Sequence, residues 1–314
     1  MTTMDESVGQ AGKSHRPHPL RPQVSVIVAS HNARGNIKQC LDALQVARRE
    51  HDAEIIIVDN SSDGTADYVA KHFPHVTLLS ARPKDLTPRL WEAGIRAASG
   101  DLVAITTADF IPRADWIGRI VEVHREPYAG VGGAIENEPE GGPVSWAIYF
   151  CRYSPYMPPF DAAKVHDFAG DNASYKRSEL LRYGQARRNG FWEAEVHALM
   201  IADGLELYLC PRILVTHRKT YSFGAFMAQR FFHGRQRGSE RAAHMSLGGR
   251  ITRVFAAPLV PFVMLYRVAA RVLQRRRFVA QFLTAAPVML AFFSSWAAGE
   301  LVGFIAPSRI DGEM

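Results

Sequence analysis

The chain has 314 residues, a hydrophobic fraction of 47% and a net charge of +6, which allows one large domain with a sizeable core. Its three cysteines, Cys40, Cys151 and Cys210, lie far apart and form no CxxC pair. This spacing excludes a cysteine metal site and indicates reduced thiols in a cytoplasm-facing protein. Residues 1–22 are rich in Gly, Pro, Ser and His and lack an apolar run, which predicts a disordered tail and not a signal peptide.

The positive charge is concentrated in one segment. Between Arg241 and Gly299 there are eight arginines and no Asp or Glu, and removing their charge from +6 leaves −2 for the rest of the chain. This segment is also the most hydrophobic, and its arginines flank apolar runs without interleaved exposed aromatics. The pattern favours a membrane surface as the partner and argues against nucleic acid.

From residue 23 onward, apolar runs alternate with amphipathic segments. The apolar runs QVSVIVAS, EIIIVD, VTLLS and DLVAITT predict four strands. After the first strand, Ile37, Cys40, Leu41 and Leu44 follow the apolar spacing of a helix, and a helix is also predicted after each of the other three. Repeated strand–helix units with continuous apolar strands predict an α/β fold, a Rossmann-like, mostly parallel sheet with helices on both faces.

Beyond residue 140 the pattern is looser but still contains ordered elements. A helix is predicted over about residues 191–202, ending at Gly204, and the strand LELYLC follows it. A shorter strand then ends at His217. We therefore expect the α/β domain to extend over residues 23–240.

The C-terminal segment predicts attachment to a membrane. Residues 278–299 contain no charged side chain over 22 positions, a length of ~33 Å as a helix, which exceeds the ~30 Å of a hydrocarbon core. We predict a transmembrane helix over residues 278–306, followed by a tail at 307–314. The preceding segment, 241–277, is either a basic interfacial helix or a first membrane helix, and the sequence leaves both possibilities open.

Polar residues stand just after the predicted strands, where parallel sheets bind their ligands. They are Ser30 and His31 after the first strand, Asp59 after the second, Arg82 after the third and Asp109 after the fourth. The first turn lacks GxGxxG, and the chain has no Walker A motif, so a dinucleotide site and a P-loop are excluded.

Six motifs, taken together, carry a family resemblance. In order they are VSVIVASHN, EIIIVDNSSDGTAD, ASGDLVAITTADFIPRADW, NASYKRSEL, WEAEVHALMIADGLELYLCPRILVTH and RFFHGRQRG. In order and spacing they resemble the family 2 inverting nucleotide-sugar glycosyltransferases, which have the GT-A fold. The hydrophobic segment that follows is similar to that of membrane-attached bacterial members.

The resemblance implies transfer of a sugar, from a UDP-type donor by preference, to a lipid-linked or polysaccharide acceptor. It places the enzyme in the inner (plasma) membrane with its catalytic domain in the cytoplasm. It also implies a divalent metal, Mg²⁺ or Mn²⁺. The family's D-x-D signature is represented here by Thr107-Ala108-Asp109, so that Asp109 is the implied metal ligand and Thr107 a neutral ribose contact. His217 matches a histidine that completes the metal site.

The resemblance also assigns the remaining site residues. Asp59 is expected to accept a hydrogen bond from the nucleobase, with Ser30 and His31 lining the base. Arg82 or Lys84 would neutralise a phosphate. The arginine-bearing stretch implies diphosphate contacts from Arg230 and Arg235, for which binding to a membrane surface is the competing interpretation.

An inverting transferase needs a general base for the acceptor hydroxyl. The family places it at the position of Glu193, where Glu stands for the usual Asp, and Glu195 is the rival because only one of them can face the site. Trp192 and Thr107 each replace a family acid. An alternative hypothesis is therefore a catalytically degenerate binding module or a membrane scaffold.

Overall fold

The computed structural model describes residues 21–218, 222–243 and 245–307, so that most of the two predicted tails lies outside the described residues. Within these ranges the strands are β1 Val24–Ser30, β2 Ala53–Asp59, β3 Thr77–Ser80, β4 Leu102–Thr107, β5 Phe110–Pro112, β6 Gly130–Asn137, β7 Ala163–Val165, β8 Ala173–Lys176 and β9 Leu207–His217. The helices are α1 Ile37–Ala47, α2 Thr65–His72, α3 Thr87–Ala97, α4 Trp116–Val123, α5 Pro143–Tyr153, α6 Arg177–Arg182, α7 Glu193–Ala202, α8 Phe223–Ala243, α9 Leu247–Ala256, α10 Val260–Arg275 and α11 Val279–Ile305.

The strands form one mixed sheet, whose first half is parallel as predicted. Its order is β3-β2-β1-β4-β8-β6-β9-β5, with β7 paired to β9. β1 lies between β2 and β4 and is parallel to both. The second half is antiparallel at β4–β8, β6–β8 and β5–β9. The chain leaves β1 first toward β2 and β3 and later returns to β4, so the β1–β4 boundary is a switch point at which α/β sheets bind ligands.

Helices cover both faces of the sheet, as predicted. Alternate residues of β1 enter different cores: Val26 and Val28 pack with α1 and α4 on one face, whereas Ile27 lies on the other. The second core contains Trp91 of α3 and Val196 of α7. Because both faces of β1 are buried, its seven residues read as one uninterrupted apolar-rich run.

The C-terminal helices share a hydrophobic core with the sheet domain through α5, and α8 runs along α11. Four glycines stand at their contact, spaced four residues apart on each helix. A Cβ atom built on them would lie 2.0–2.3 Å from a backbone oxygen of the opposite helix at Gly234, Gly238, Gly299 and Gly303. Only glycine fits at such a separation, so these residues set how closely the two helices approach.

Two stretches of the described residues are long and apolar enough to cross a membrane. They are Leu247–Arg275, which comprises α9 and α10, and Val279–Ile305, which is α11. The second agrees with the predicted transmembrane helix within a residue at each end. The first is bent at a 3₁₀ turn over Ala257–Leu259, beside Pro258 and Pro261.

Candidate functional site

A cavity of about 740 Å³ opens at the carboxyl ends of β1 and β4. Its wall combines strand ends, the loop before α3, the end of α5 and one residue of α8. The polar and charged lining residues are Ser30, His31, Asn32, Asn60, Lys84, Asp85, Thr87, Thr107, Asp109, Arg152, Tyr153, Asp171, His217 and Gln229. This volume is in the range of small-molecule sites. Six of the sequence-predicted residues therefore meet in one cavity: Ser30, His31, Lys84, Thr107, Asp109 and His217.

One end of the cavity is built by the loops after β1 and β2. His31 Nδ1 lies 2.8 Å from Asn60 Oδ1, and Asn60 Nδ2 donates to the carbonyl oxygen of Asp85 at 2.7 Å. These bonds join three loops into one wall. Ser30 Oγ is buried and has no hydrogen-bond partner among the described residues. A buried hydroxyl without a partner is a group that a polar ligand can satisfy.

The acidic end of the cavity depends on a long-range strand pair. Asp109 stands between β4 and β5, and β5 pairs antiparallel with β9 so that Phe110 lies opposite His217. This pairing brings the two predicted metal ligands to the same wall. Asn36 Nδ2 lies 3.5 Å from Asp109 Oδ1 and also donates to the carbonyl oxygen of Arg218, which orients the carboxylate.

His217 is held as a buried ring. It is 1% exposed, and its ring centroid is 5.2 Å from those of Phe110 and Tyr153. Nδ1 lies 3.3 Å from Asn137 Oδ1. When Nδ1 donates its proton to that oxygen, the lone pair of the neutral ring lies on Nε2, the state in which a histidine binds a metal.

Asp109 and His217 are the donors that the cavity offers to a divalent cation. The described residues contain no group of three or more His, Cys, Asp or Glu that could hold a metal. Asp109 and His217, however, line one cavity of ligand size. Mg²⁺-type sites bind through one or two carboxylates and complete their coordination with substrate phosphates and water. The residues present fit a cation that arrives with a diphosphate.

The end of α5 brings to the cavity a positive charge that the sequence did not indicate. Arg152, in the last turn of α5, lies 3.8 Å from an oxygen of Asp171, and Tyr153 Oη donates to the same carboxylate at 3.0 Å. Gln229 of α8 also reaches this cavity, and its Oε1 is buried without a partner among the described residues. Arg152, Asp171 and Gln229 thus belong to the candidate site.

Three of the predicted phosphate- or base-binding residues lie beside the cavity and do not line it. Asp59 is buried at the end of β2, where its carboxylate accepts hydrogen bonds from the backbone N–H and hydroxyl of Ser61. Arg82 pairs with Asp85 at 3.0 Å and lines a neighbouring cavity. Lys84, the other predicted phosphate-binding residue of this loop, lines this neighbouring cavity as well as the main one. Arg230 follows Gln229, with its guanidinium 4.8 Å from the centre of the Phe226 ring.

Arg235 lies further along α8, at the contact with α11. Its backbone oxygen approaches the position that a Cβ of Gly303 would occupy, at 2.3 Å. The side-chain Nε is buried without a hydrogen-bond partner among the described residues. Arg235 is therefore not part of the cavity lining.

The candidate general base stands behind the cavity, at the start of α7. Burial raises the pKa of Glu193 to about 7, and the negative charges of Asp171 and Asp167 add to the effect. Asp171, whose charge acts on Glu193, is also a lining residue of the cavity. Glu195 is exposed on the same helix. A carboxyl group with a pKa near neutrality is suited to take up a proton, and this favours Glu193 over Glu195.

A buried hydrogen-bonded chain lies one helical turn beyond Glu193. His197 is held between Asp167, 2.6 Å from its Nδ1, and the hydroxyl of Tyr175, 2.8 Å from its Nε2. Burial raises the pKa of Tyr175, and the charges of Glu193 and Asp167 raise it further. These two hydrogen bonds hold α7 against β8 and so fix the direction of the first turn of α7.

The site residues missed by sequence reasoning had weak signals. Asp171 lies just before the NASYKRSEL motif, and Gln229 comes directly before the RFFHGRQRG motif. Arg152 lies in the region where the periodicity loosens, and no pattern in the sequence singles it out.

Comparisons with known proteins concern the family and the fold of the chain. Residues 25–184 match the family model described as Glycosyl transferase family 2. The chain is 26% identical over 236 residues, 68% of its length and 73% of the other's, to the dolichyl N-acetyl-alpha-D-glucosaminyl phosphate 3-beta-D-2,3-diacetamido-2,3-dideoxy-beta-D-glucuronosyltransferase of Methanococcus voltae. It is 30% identical over 129 residues to glycosyltransferase AglE of Haloferax volcanii, which is 38% of this chain and 42% of that protein.

The fold also matches a solved structure. The mannosyltransferase PcManGT from Pyrobaculum calidifontis, in complex with GDP-Man and Mn²⁺, superposes with a TM-score of 0.55 and 18% identity, covering 93% of this chain and 89% of that one. At this identity the similarity concerns the fold alone, and it agrees with the predicted GT-A architecture.

Proposed function

The chain belongs to glycosyl transferase family 2, and from this premise we propose that it moves a sugar, with inversion, from a nucleoside diphosphate donor to a lipid-linked acceptor. The observation that carries the proposal is the single cavity at the β1–β4 switch point, which gathers an acid, a buried histidine and basic side chains. A second function is not favoured by any feature of this cavity.

The donor would lie with its base near β1 and β2 and its diphosphate near β4. Ser30, with its unpartnered hydroxyl, and His31, held by Asn60, would line the base. Asp59 would offer carboxylate oxygens to a base N–H, and Thr107 would contact the ribose. Lys84 and Arg152 line the cavity and would neutralise phosphate charge, while Arg82, Arg230 and Arg235 would act from its margin.

Asp109 and His217 would hold a divalent metal, Mg²⁺ or Mn²⁺, together with the donor diphosphate. Such a metal, when bound, supplies positive charge to the departing nucleoside diphosphate. Metal binding by PcManGT is consistent with this role. The chain's own contribution is to fix both side chains, Asp109 through Asn36 and His217 through Asn137.

Glu193 would act as the general base. A sugar hydroxyl of the acceptor would lose its proton to the Glu193 carboxylate as its oxygen attacks the anomeric carbon from the side opposite the leaving diphosphate, which inverts the configuration. The buried carboxylate has a pKa raised to about 7, so it holds the proton more firmly than an exposed glutamate does. Asp171 lines the cavity, and the repulsion between its negative charge and that of Glu193 adds to the raised pKa of Glu193.

The acceptor would be a lipid-linked sugar at the cytoplasmic face of the inner membrane. The Methanococcus voltae relative is named for a dolichyl-linked acceptor. Here the catalytic unit would span residues 23–240, followed by a basic segment at 241–277 and a transmembrane helix at 278–306. Attachment to the bilayer would hold the enzyme at the surface on which a lipid-linked substrate diffuses.

Thermal-shift titration of the purified full-length chain tests the donor site. UDP-sugars and GDP-sugars are added in parallel, each with and without Mn²⁺, and we expect a metal-dependent rise in Tm with one donor, a UDP-sugar by preference. Transfer to a lipid-linked acceptor is then assayed with that donor. Stabilisation without transfer would support the binding-module alternative, and no stabilisation by any donor would refute the proposal.

A further inference from the structure

A second cavity of about 500 Å³ lies among the four C-terminal helices, and none of its lining residues belongs to the donor cavity. We call it the arginine pocket. Its charged lining residues are Arg237 and Arg241 of α8, Arg253 of α9, Arg267 of α10 and Glu300 of α11. Trp296 and aliphatic side chains complete the wall.

The arginine pocket has an excess of positive charge. Arg241 pairs with Glu300 at 2.9 Å, and Arg237 lies 3.6 Å from Glu240. Arg253 and Arg267 have no ion pair with any residue that the structure describes, and both are exposed. Two uncompensated guanidinium groups facing one cavity match the charge and the hydrogen-bonding geometry of a phosphate group.

The arginine pocket adjoins an exposed apolar stripe. On α9, α10 and the turn between them, large apolar side chains are exposed at helical spacings of three, four or seven residues, at Leu247, Ile251, Phe255, Leu259, Phe262, Tyr266 and Leu273, with Val263 beside Phe262. Leu259 and Val263 also line the arginine pocket, so the stripe begins at its mouth. An exposed apolar stripe flanked by arginines is the pattern of a helix lying in a membrane interface.

We propose that the arginine pocket binds the phosphate headgroup of an anionic bilayer phospholipid. The phosphate oxygens lie between Arg253 and Arg267, and the acyl chains lie against Leu259 and Val263. The α9–α10 segment is then an interfacial helix, docked on the bilayer beside the transmembrane α11. Charge complementarity and the adjoining stripe together favour a membrane lipid over a soluble anion, because a soluble anion would make no use of the apolar side chains.

Melting of the full-length chain in detergent, stripped of lipid, tests this site. Phosphatidylglycerol should raise the Tm above the value with zwitterionic phosphatidylcholine, by about 4 °C at a lipid concentration of about 100 Kd for a chain of this length. Replacing both unpaired arginines, Arg253→Gln with Arg267→Gln, should abolish this difference. Because neither side chain has an ion pair among the described residues, the substitutions break no ion pair that the structure describes.

Two variants and inorganic phosphate distinguish lipid binding in the arginine pocket from a general effect of positive charge and from binding of a soluble anion. Arg276→Asn removes one exposed arginine of the same segment that lies outside the arginine pocket, and it should keep the full shift in Tm. Asparagine is chosen because residue 276 has a φ of +49°, a conformation that asparagine tolerates. Arg267→Lys keeps the charge and should retain part of the shift even if the double variant folds poorly. The proposal is overturned if Arg276→Asn loses as much as the double variant, or if inorganic phosphate alone reproduces the shift.

Discussion

Replacement of Glu193 by Gln makes the sharpest prediction, because it acts on stability and activity in opposite directions. The pKa of Glu193 is about 7 in the folded chain against an ordinary value of 4.5. An acid with a raised pKa binds its proton more tightly when folded, so ionising it costs stability. This cost is absent below about pH 4.5, grows as the pH rises, and is complete above pH 7.

The magnitude follows from the size of the pKa shift. A pKa raised by about 2.5 corresponds to a loss of about 3 kcal/mol in the free energy of unfolding at pH 8, and to a loss of less than about 1 kcal/mol at pH 5. A neutral amide escapes the cost, so Glu193→Gln should raise Tm by about 5 °C at pH 8 for a chain of 314 residues, and by about 1 °C at pH 5. Melting of both proteins in detergent at the two pH values measures this difference.

The same substitution should remove catalysis. Without a carboxylate, transfer should fall by at least about 10²-fold, whereas the wild-type rate should rise with pH through a midpoint near 7. Glu195→Gln is the matched control: it is exposed on the same helix and should change stability by less than about 0.5 kcal/mol. Equal stabilisation by Glu193→Gln at pH 5 and pH 8, or retention of activity, would contradict the assignment of Glu193.

Two further substitutions test the donor site and the helix contact. Asp109→Ala should lower kcat/KM by about 10²-fold and abolish the Mn²⁺-dependent Tm shift with the donor. Asp115→Ala, which removes a partly exposed acid paired with Arg113, should leave kcat/KM and the Tm shift unchanged. A metal-dependent shift that persists in Asp109→Ala would remove Asp109 from the metal site. Gly299→Leu places a Cβ 2.0 Å from the backbone oxygen of Phe231 and should destabilise the chain by at least about 3 kcal/mol, measured as a fall in Tm. Gly224→Leu is the control, because a Cβ at residue 224 meets no atom within 4 Å, and it should not lower Tm in this way. Equal effects of the two substitutions would argue against the close contact of α8 and α11.

The parallel half of the sheet could be predicted from the sequence because each of its strands is a continuous apolar run. β1 and β2 are buried on both faces, and the helix after β1 carries Ile37, Cys40, Leu41 and Leu44 inward, as the spacing predicted. Local sequence is sufficient for such elements, since the period of their apolar residues decides both type and orientation.

The antiparallel half could not be predicted in the same way. β5 has three residues, Phe110–Pro112, and its partner β9 lies about a hundred residues later in the chain. A strand this short has no period to detect, and its pairing depends on the rest of the sheet. It is nevertheless this pair that brings Asp109 to His217. The family resemblance implied a shared metal-binding role for these two residues, which stays a prediction, and the strand pair explains why they lie close together.

α8 connects the donor cavity to the membrane segment. Gln229, near its start, lines the donor cavity, and Gly234 and Gly238, one and two turns later, touch the backbone of α11. The diphosphate contacts expected from Arg230 and Arg235 of this helix stay a prediction, and neither residue type nor spacing in the sequence shows that α8 also faces another helix. Because a packed helix pair moves as a unit, the position of α11 constrains the position of Gln229. The donor cavity and the apolar helix α11 are thus joined through one helix.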